Sequence, residues 1–472
     1  MTASGNGRAV VGATATAATS SSGAVTRPTS SSATGLFADM ESAVSAAEAA
    51  YRELGGMSLA ARQKFIDAMR RKAEEYAEPL AALTVEETGM GRVSSKVQKN
   101  LLAARATPGT EDLQPKAYTG DDGLTLVEPA PFGVVGAITP STNPASTVVN
   151  NGISFVAAGN AAVFNPHPAA KRVTNETIRL MNEAIVEAGG PQNLLCSVER
   201  PSRESAQALM VHPTIRLLMV TGGEEVVNAA MSSGKRVVGA GPGNAPVLVD
   251  DTANITKAAR AVVDGASFDN GLLCIAEKVL LVFDNVADRL KEEMLRYGAV
   301  EVRGRDLDRL TERCIDSSGS GYPMPKKDMV GRDASVLLSE IGVSAHPNAR
   351  LVLAEVPDIS HPLVQAEQLM PFLPMVRVRD LDEGLAWAKA VEHGFRHTAC
   401  MHSENVSRMS RMAREIETTI FVKNAPSYGG LGFGGEGFTT LSIAGPTGEG
   451  LTSARTFTRQ RRCVLAGAFR IV

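Results

Sequence analysis

Leu59, Phe65, Ile66, Met69 and Tyr76 recur at helical spacing behind Ser58, whose hydroxyl suits a helix N-cap. From Phe132 onward the pattern changes. Short apolar runs (Phe132 to Thr139, Ala161 to Phe164, Leu194 to Val198 and Ile215 to Thr221) alternate with turns and helix-period segments. Alternation of this kind predicts βαβ units and a largely parallel sheet, hence an α/β fold. A second series opens at Ala245 to Asp250. It continues near Glu277 to Phe283, Leu351 to Ala354, Met375 to Val378 and Thr398 to Met401. The Gly-rich run Gly239-Ala-Gly-Pro-Gly-Asn244 divides the two series, and no internal repeat relates them.

Composition narrows the classes. A chain of 472 residues exceeds one ordinary core and predicts two or three domains. With 44% hydrophobic and 21% charged residues it has the balance of a soluble globular protein. A net charge of -3 supplies no basic field, which argues against a nucleic-acid partner. No apolar run is long enough to span a bilayer, which argues against a membrane role. Residues 1–35 differ from the rest: Ala, Ser, Thr and Gly dominate, and Arg8 and Arg27 are their only charges. That composition predicts a flexible extension without a core, and it lacks the apolar centre of a secretory signal. Five scattered cysteines without CxxC spacing argue against a disulfide framework and structural zinc, and for a reducing, cytoplasmic compartment.

Three places could carry chemistry. Thr221-Gly222-Gly223-Glu224-Glu225 follows a strand and opens a helix-period segment, where free backbone amides favour an anion. It is not a GxGxxG fingerprint, and a plain structural turn fits it equally well. Phe164-Asn165-Pro166-His167-Pro168 is a second strand-to-helix junction, with His167 readable as a ribose or phosphate contact or as an exposed loop residue. Cys274 lies in a short loop between a helix end at Asn270-Gly271 and the next strand. Loops on a rigid scaffold hold nucleophiles. A thiol between Leu273 and Ile275 also fits a small buried hydrophobe.

Four segments favour the nucleophile. Ser267-Phe-Asp-Asn-Gly-Leu-Leu-Cys-Ile-Ala-Glu277, His361-Pro-Leu-Val-Gln-Ala-Glu-Gln-Leu-Met-Pro371, Phe421-Val-Lys-Asn-Ala-Pro-Ser-Tyr428 and Ala444-Gly-Pro-Thr-Gly-Glu-Gly450 stand in the order found in aldehyde dehydrogenases. The chain from about Leu36 to Val472 resembles that superfamily, in its CoA-acylating branch of propionaldehyde and acetaldehyde dehydrogenases from bacterial microcompartments. The resemblance implies a Rossmann-like NAD-binding domain over 36–240, with an oligomerisation hairpin near 114–131. It also implies a catalytic domain over 241–430 and a C-terminal return with an oligomerisation strand over 431–472. Arg455 to Val464 is the candidate edge strand, making a homodimer or homotetramer the expected assembly. By the same resemblance Cys274 is the nucleophile and Asn143, in Thr139-Pro-Ser-Thr-Asn-Pro144, the oxyanion donor. Thr139, Pro140, Ser141, Asn165, His167, Pro168, Thr221, Gly222, Gly223, Val226, Glu367 and Leu369 match positions near the dinucleotide, with Glu367 on the nicotinamide ribose. Relatives that hydrolyse usually carry lysine where Asn165 stands, which leaves the choice between NAD and NADP open.

Hydrolytic members carry a glutamate that activates water, and an ungapped match places Ala240 there. Loss of a positioned general base costs typically about 10²–10⁴-fold, so a thiol acceptor, coenzyme A, is expected in place of water. The expected reaction converts a short aldehyde, NAD and CoA into acyl-CoA and NADH. Acid formation by hydrolysis, or a cargo or scaffold role with vestigial activity, are the alternatives. The branch makes microcompartment shell proteins candidate partners and the compartment interior a candidate location.

Overall fold

The computed structural model describes residues 35–319, 321–344 and 348–471. The expectation for the N-terminal extension therefore lies outside the described residues, apart from Gly35. Ser58 caps the helix Leu59–Glu75, its side chain accepting from the Ala61 amide.

Two parallel sheets follow. In the first, the strands stand in the spatial order Leu36–Phe37, Leu195–Val198, Ala161–Asn165, Val134–Ile138, Ile215–Thr221, Arg236–Ala240. Every neighbouring pair is parallel. Chain order reverses beside Val134–Ile138: the next two strands build outward on one side, then Ile215–Thr221 takes the other side. A crevice at the carboxyl ends of strands forms at such a reversal. The residues that flank it are Thr139-Pro140-Ser141 and Thr221-Gly222-Gly223.

In the second sheet the spatial order is Ala299–Glu301, Leu351–Glu355, Phe372–Val378, Glu277–Phe283, Ala245–Val249, Thr398–His402, Ile420–Lys423, again parallel throughout. Its central strands read as continuous apolar runs because helices cover both faces. Glu277–Phe283 is buried along its whole length.

Some boundaries depart from the sequence reading. Gly239 and Ala240, expected in the linker, close the strand Arg236–Ala240 and pair with Val220 and Thr221. The strand expected from Met375 begins at Phe372 and runs through Pro374, which lies opposite Ala354. The expected edge strand Arg455 to Val464 is Thr458–Ala466, because a capping box at Ser453 turns Ala454–Phe457 into a 3-10 helix. That strand pairs antiparallel with Gly123–Pro131, itself hairpinned to Lys116–Gly120. Among the described residues no helix is long and apolar enough to cross a membrane.

The helix Pro144–Ala158 is buried on every side, which demands partners for its polar residues. Asn150 donates to the Thr107 hydroxyl at 2.8 Å and the Thr439 carbonyl at 3.4 Å, and accepts from the Leu441 amide at 3.1 Å. This carboxamide and Phe457, packed edge-on against Phe155 at 4.7 Å, return the C-terminal segment to the first sheet's core. Asn150→Ala should destabilise the protein by about 2–3 kcal/mol, the cost of leaving buried groups unpaired, and a urea melt will measure it.

Candidate active site

The strand Arg236–Ala240 leaves the first sheet, and Gly241-Pro-Gly-Asn244 delivers the chain into Ala245–Val249 of the second. This crossing joins the carboxyl ends of one sheet to the amino ends of the other. Cys274 precedes Glu277–Phe283, Glu367 and Leu369 precede Phe372–Val378, and Gly243 precedes Ala245–Val249. At the opposing ends, the Gly222 amide donates to the Ala240 carbonyl at 3.1 Å.

Gly243 occupies the narrowest point. A Cβ there would stand 2.6 Å from the Cys274 carbonyl oxygen and 3.0 Å from the His397 ring, so no side chain fits. Its amide donates to Glu367 Oε1 at 3.3 Å. Asn244 is fully buried, and its Nδ2 donates to the Val364 and Val391 carbonyls at 2.9 and 2.8 Å. The four residues of the crossing carry no carboxylate or imidazole of their own.

The half-buried Cys274 thiol is pushed up to about 12 by burial and then by the Glu367 charge, opposed by Lys278 and by the Cys274 and Ile275 amides. At neutral pH the thiol holds its proton. Burial pushes Glu367 up to about 7, against Lys278 and the Gly243 amide. Lys278 is buried beneath them, donates from Nζ to the Gly271 carbonyl at 2.7 Å, and has its pKa lowered by burial. Gln368 donates to the Lys278 carbonyl at 3.2 Å, which fastens the Glu367 segment to the strand behind Cys274. Glu277 is also pushed up to about 7 by burial, with Ser427 opposing through its amide and hydroxyl, each at 2.8 Å.

The sequence reading missed His397. It is buried, its Nδ1 lies 2.9 Å from the Thr398 hydroxyl, and its Nε2 has no hydrogen-bond partner among the described residues. Burial, with Lys278 nearby, lowers it to about 4, so the imidazole is neutral. Its only sequence signal is a position just before a strand of the second series. Helix Val93–Ala106 supplies two further unforeseen residues, Lys96 and Lys99, both buried. Both bind Asp269 in the loop before Cys274, and Lys99 also binds Asn143.

The nominated dinucleotide residues occupy the first sheet's carboxyl ends. Thr139 is buried and its hydroxyl has no partner among the described residues. Gly223 opens the helix Glu224–Met231 without a side-chain cap, leaving the amide end of that helix bare, with Val226 half-buried within its first turn. These groups, with the under-neutralised Glu367, fit a dinucleotide. His167 and Pro168 are exposed beyond Ala161–Asn165, His167 accepting the Ala169 amide at 3.1 Å. Asn165 itself is turned into the core, where its Oδ1 accepts from Ser205. Leu369 has φ +50, a strained conformation for leucine, and its carbonyl accepts the Gly331 amide at 2.8 Å. The other cysteines stand apart from this site: Cys196, Cys314 and Cys400 are buried with raised pKa, and Cys463 is exposed.

Residues 19–312 match the model of the aldehyde dehydrogenase family. An acetaldehyde dehydrogenase (acetylating), EutE, of Salmonella typhimurium is 51% identical over 442 residues, covering 93% of this chain and 94% of that protein. Three solved structures superpose closely. An engineered glycolyl-CoA reductase with bound NADP+ gives a TM-score of 0.91 at 46% identity, over 94% of this chain and 100% of that one. A propionaldehyde dehydrogenase from a Clostridium phytofermentans fucose utilisation bacterial microcompartment gives 0.90 at 47%, over 93% and 100%. A Rhodopseudomonas palustris propionaldehyde dehydrogenase with bound CoA and an acylated cysteine gives 0.89 at 47%, over 92% and 98%. The chain belongs to the aldehyde dehydrogenase family.

The Glu367 pKa generates a binding prediction. In the free protein it is raised from its usual 4.5 to about 7, so the stability tied to its proton is present below 4.5 and lost as pH rises through 7. Ribose hydroxyls set against Glu367, as the family resemblance implies, would donate to the carboxylate and favour the ionised form. Binding of NAD should therefore release a proton below pH 7, with Kd falling by at most about tenfold per pH unit toward 7 and levelling above it. Calorimetry across pH will show the slope, and Glu367→Gln should flatten it.

Proposed function

We propose that this enzyme oxidises a short-chain aldehyde with NAD through a thioester on Cys274 and passes the acyl group to coenzyme A. The observation that carries this reading is the crossing itself: Cys274 and Glu367 face Gly243, and residues 240–244 of that stretch carry no carboxylate or imidazole where hydrolytic relatives place a glutamate. The relatives agree, one being acetylating and another holding CoA beside an acylated cysteine.

The residues divide the chemistry. Cys274 must lose a proton that burial holds tightly, and the neutral His397 imidazole with its unpartnered Nε2 is the base available. The thiolate adds to the aldehyde carbon, and Asn143 with the Cys274 amide receives the negative charge formed on oxygen. One such donor contributes typically about 2.7–4 kcal/mol. Glu367 and the Thr139 and Gly223 ends would hold NAD, which when bound would supply the acceptor for the hydride whose loss turns the adduct into a thioester. The CoA thiol then attacks the thioester carbonyl, the Cys274 sulfur leaves, and the proton of the CoA thiol returns to that sulfur. Coenzyme A replaces water because Ala240 stands where hydrolytic relatives place a glutamate, and Ala240 is buried at a strand end.

A small pocket accepts the aldehyde. Phe268, Tyr428 and Phe433 cluster with centroids 5.2–5.8 Å apart, and Leu273 beside the nucleophile joins them in its lining. Such walls suit a short aliphatic chain. Assembly is read from the three-stranded sheet: Thr458–Ala466 is exposed along nearly its whole length, and Tyr118, Val464 and Leu465 are exposed apolar residues on it. These support a homo-oligomer built through that edge. A place within a bacterial microcompartment, among shell proteins, rests on the relatives.

Cys274→Ala should abolish NADH formation with every aldehyde and leave NAD affinity within about threefold. Without CoA, the unaltered enzyme should give one NADH per active site and stall, and CoA should restore turnover and yield acyl-CoA. Steady, CoA-independent release of free acid would establish the hydrolytic alternative. An enzyme that formed no NADH at all would favour the scaffold role.

A further inference from the structure

The segment that carries the oxyanion donor is held by a buried cluster of unequal charge. Lys96 and Lys99 project from helix Val93–Ala106 onto a single carboxylate, Asp269, and the three side chains are 3%, 5% and 0% exposed. Asp269 Oδ2 takes both ammonium groups, while its Oδ1 accepts the Arg92 amide at 2.8 Å. One lysine would neutralise Asp269. The second leaves one positive charge in a place where burying it is costly.

The surplus has a specific direction. Lys96 donates to the Thr142 carbonyl at 3.1 Å, and Lys99 donates to Asn143 Oδ1. Asn143 is the N-cap of helix Pro144–Ala158, where an asparagine oxygen ordinarily accepts an amide of the first turn. Here it makes no such bond. Its oxygen is committed to Lys99, and among the described residues its Nδ2 makes only a long 3.3 Å contact to the Thr142 hydroxyl. Lysine is a donor only, so its partner atom is the carbonyl oxygen and the amide cannot be flipped. Lys99 also lines the aromatic pocket with Phe268 and Leu273.

We propose that Lys99 is a positioning residue for the oxyanion site. It holds the Asn143 carboxamide with its oxygen turned away from the aldehyde and its NH₂ left to donate, and it polarises that amide. Hydrogen bonds in series strengthen one another, so an ammonium on the oxygen makes Nδ2–H a better donor. The same cluster fixes Asp269, whose φ of +48 begins the two-residue left-handed bend that leads to Cys274. This inference rests on the reading of Asn143 as the donor to the alkoxide.

The test is a double-mutant cycle read by single-turnover NADH formation at saturating NAD. Lys99→Met should slow that step by roughly 10- to 100-fold, the weight of a charge-assisted hydrogen bond, while the KM for aldehyde stays within about threefold. Asn143→Ala should slow it by about 10²–10³-fold, and the double variant should be no slower than Asn143→Ala alone. Lys99→Gln keeps a donor without the charge and should fall between wild type and Lys99→Met; it carries the same cycle if the methionine variant does not fold. The proposal is overturned by a wild-type rate in either Lys99 variant, by losses that multiply in the double variant, or by an Asn143→Ala enzyme of normal rate. Absence of NADH formation by the unaltered enzyme would instead overturn the aldehyde-oxidising reading itself.

Discussion

The close approach of backbone to backbone at Gly243 sets the geometry on which the remainder of the site depends. One glycine touches the segment of the nucleophile, the imidazole and the carboxylate from three directions. Any side chain there would push the Cys274 carbonyl or the His397 ring aside, and the 2.6 Å clearance is below what a real Cβ tolerates. The crossing must be narrow because it is short: four residues separate a strand of one sheet from a strand of the next. A thin, side-chain-free connection lets the amino ends of one sheet face the carboxyl ends of the other. This explains why the second sheet places its chemistry at amino ends, contrary to the usual preference of open parallel sheets.

The architecture was legible because short apolar runs and helix-period patterns alternate strongly in both halves. Ile215–Thr221 and Glu277–Phe283 have the bounds that their apolar runs predict. Errors fell where a local signal competes with tertiary pairing. Gly239 reads as linker, yet pairs with Val220, and its amide donates to the Thr447 hydroxyl at 2.9 Å, from a segment more than two hundred positions away. Pro374 discourages a strand, and the sheet accommodates it. In the site, Cys274, Asn143 and Glu367 were nominated through resemblance, whereas composition and spacing left Cys274 open between nucleophile and core residue. His397, Lys96 and Lys99 carried no readable signal. A histidine before a strand is common, and lysines on a helix read as a solvated face until the fold buries them.

Backbone strain is concentrated around the same centre. Asp269, Asn270, Leu369, His393 and Arg396 all have left-handed φ without being glycine. Each stands in a connection that enters a strand of the second sheet near its amino end. Such conformations persist when surrounding bonds over-determine them. Asn270 donates to the Gly331 carbonyl at 2.8 Å and to Asp333 at 3.0 Å, and the Leu369 carbonyl closes the same loop through the Gly331 amide. The segment 329–333, without chemistry of its own, thereby holds the loops of Cys274 and Glu367 at a fixed separation.

Buried charge completes the design and has a direction. Lys278 lies under Cys274 and Glu367, and Lys96 and Lys99 outnumber Asp269 beside Asn143. Lys96 is held down to about 8, by burial first and then by Lys99, and Asp269 opposes that shift. A protein selected for stability alone would replace such a cluster with packed apolar side chains. A site that must accommodate a thiolate and then an alkoxide, both anions in a water-poor crevice, gains from a positive environment fixed beforehand. The cost is borne in the free enzyme, where Cys274, Glu277 and Glu367 all retain protons above their usual pKa. Anionic chemistry at this crossing is therefore coupled to proton release, and the fixed lysines make that release local to the reacting atoms.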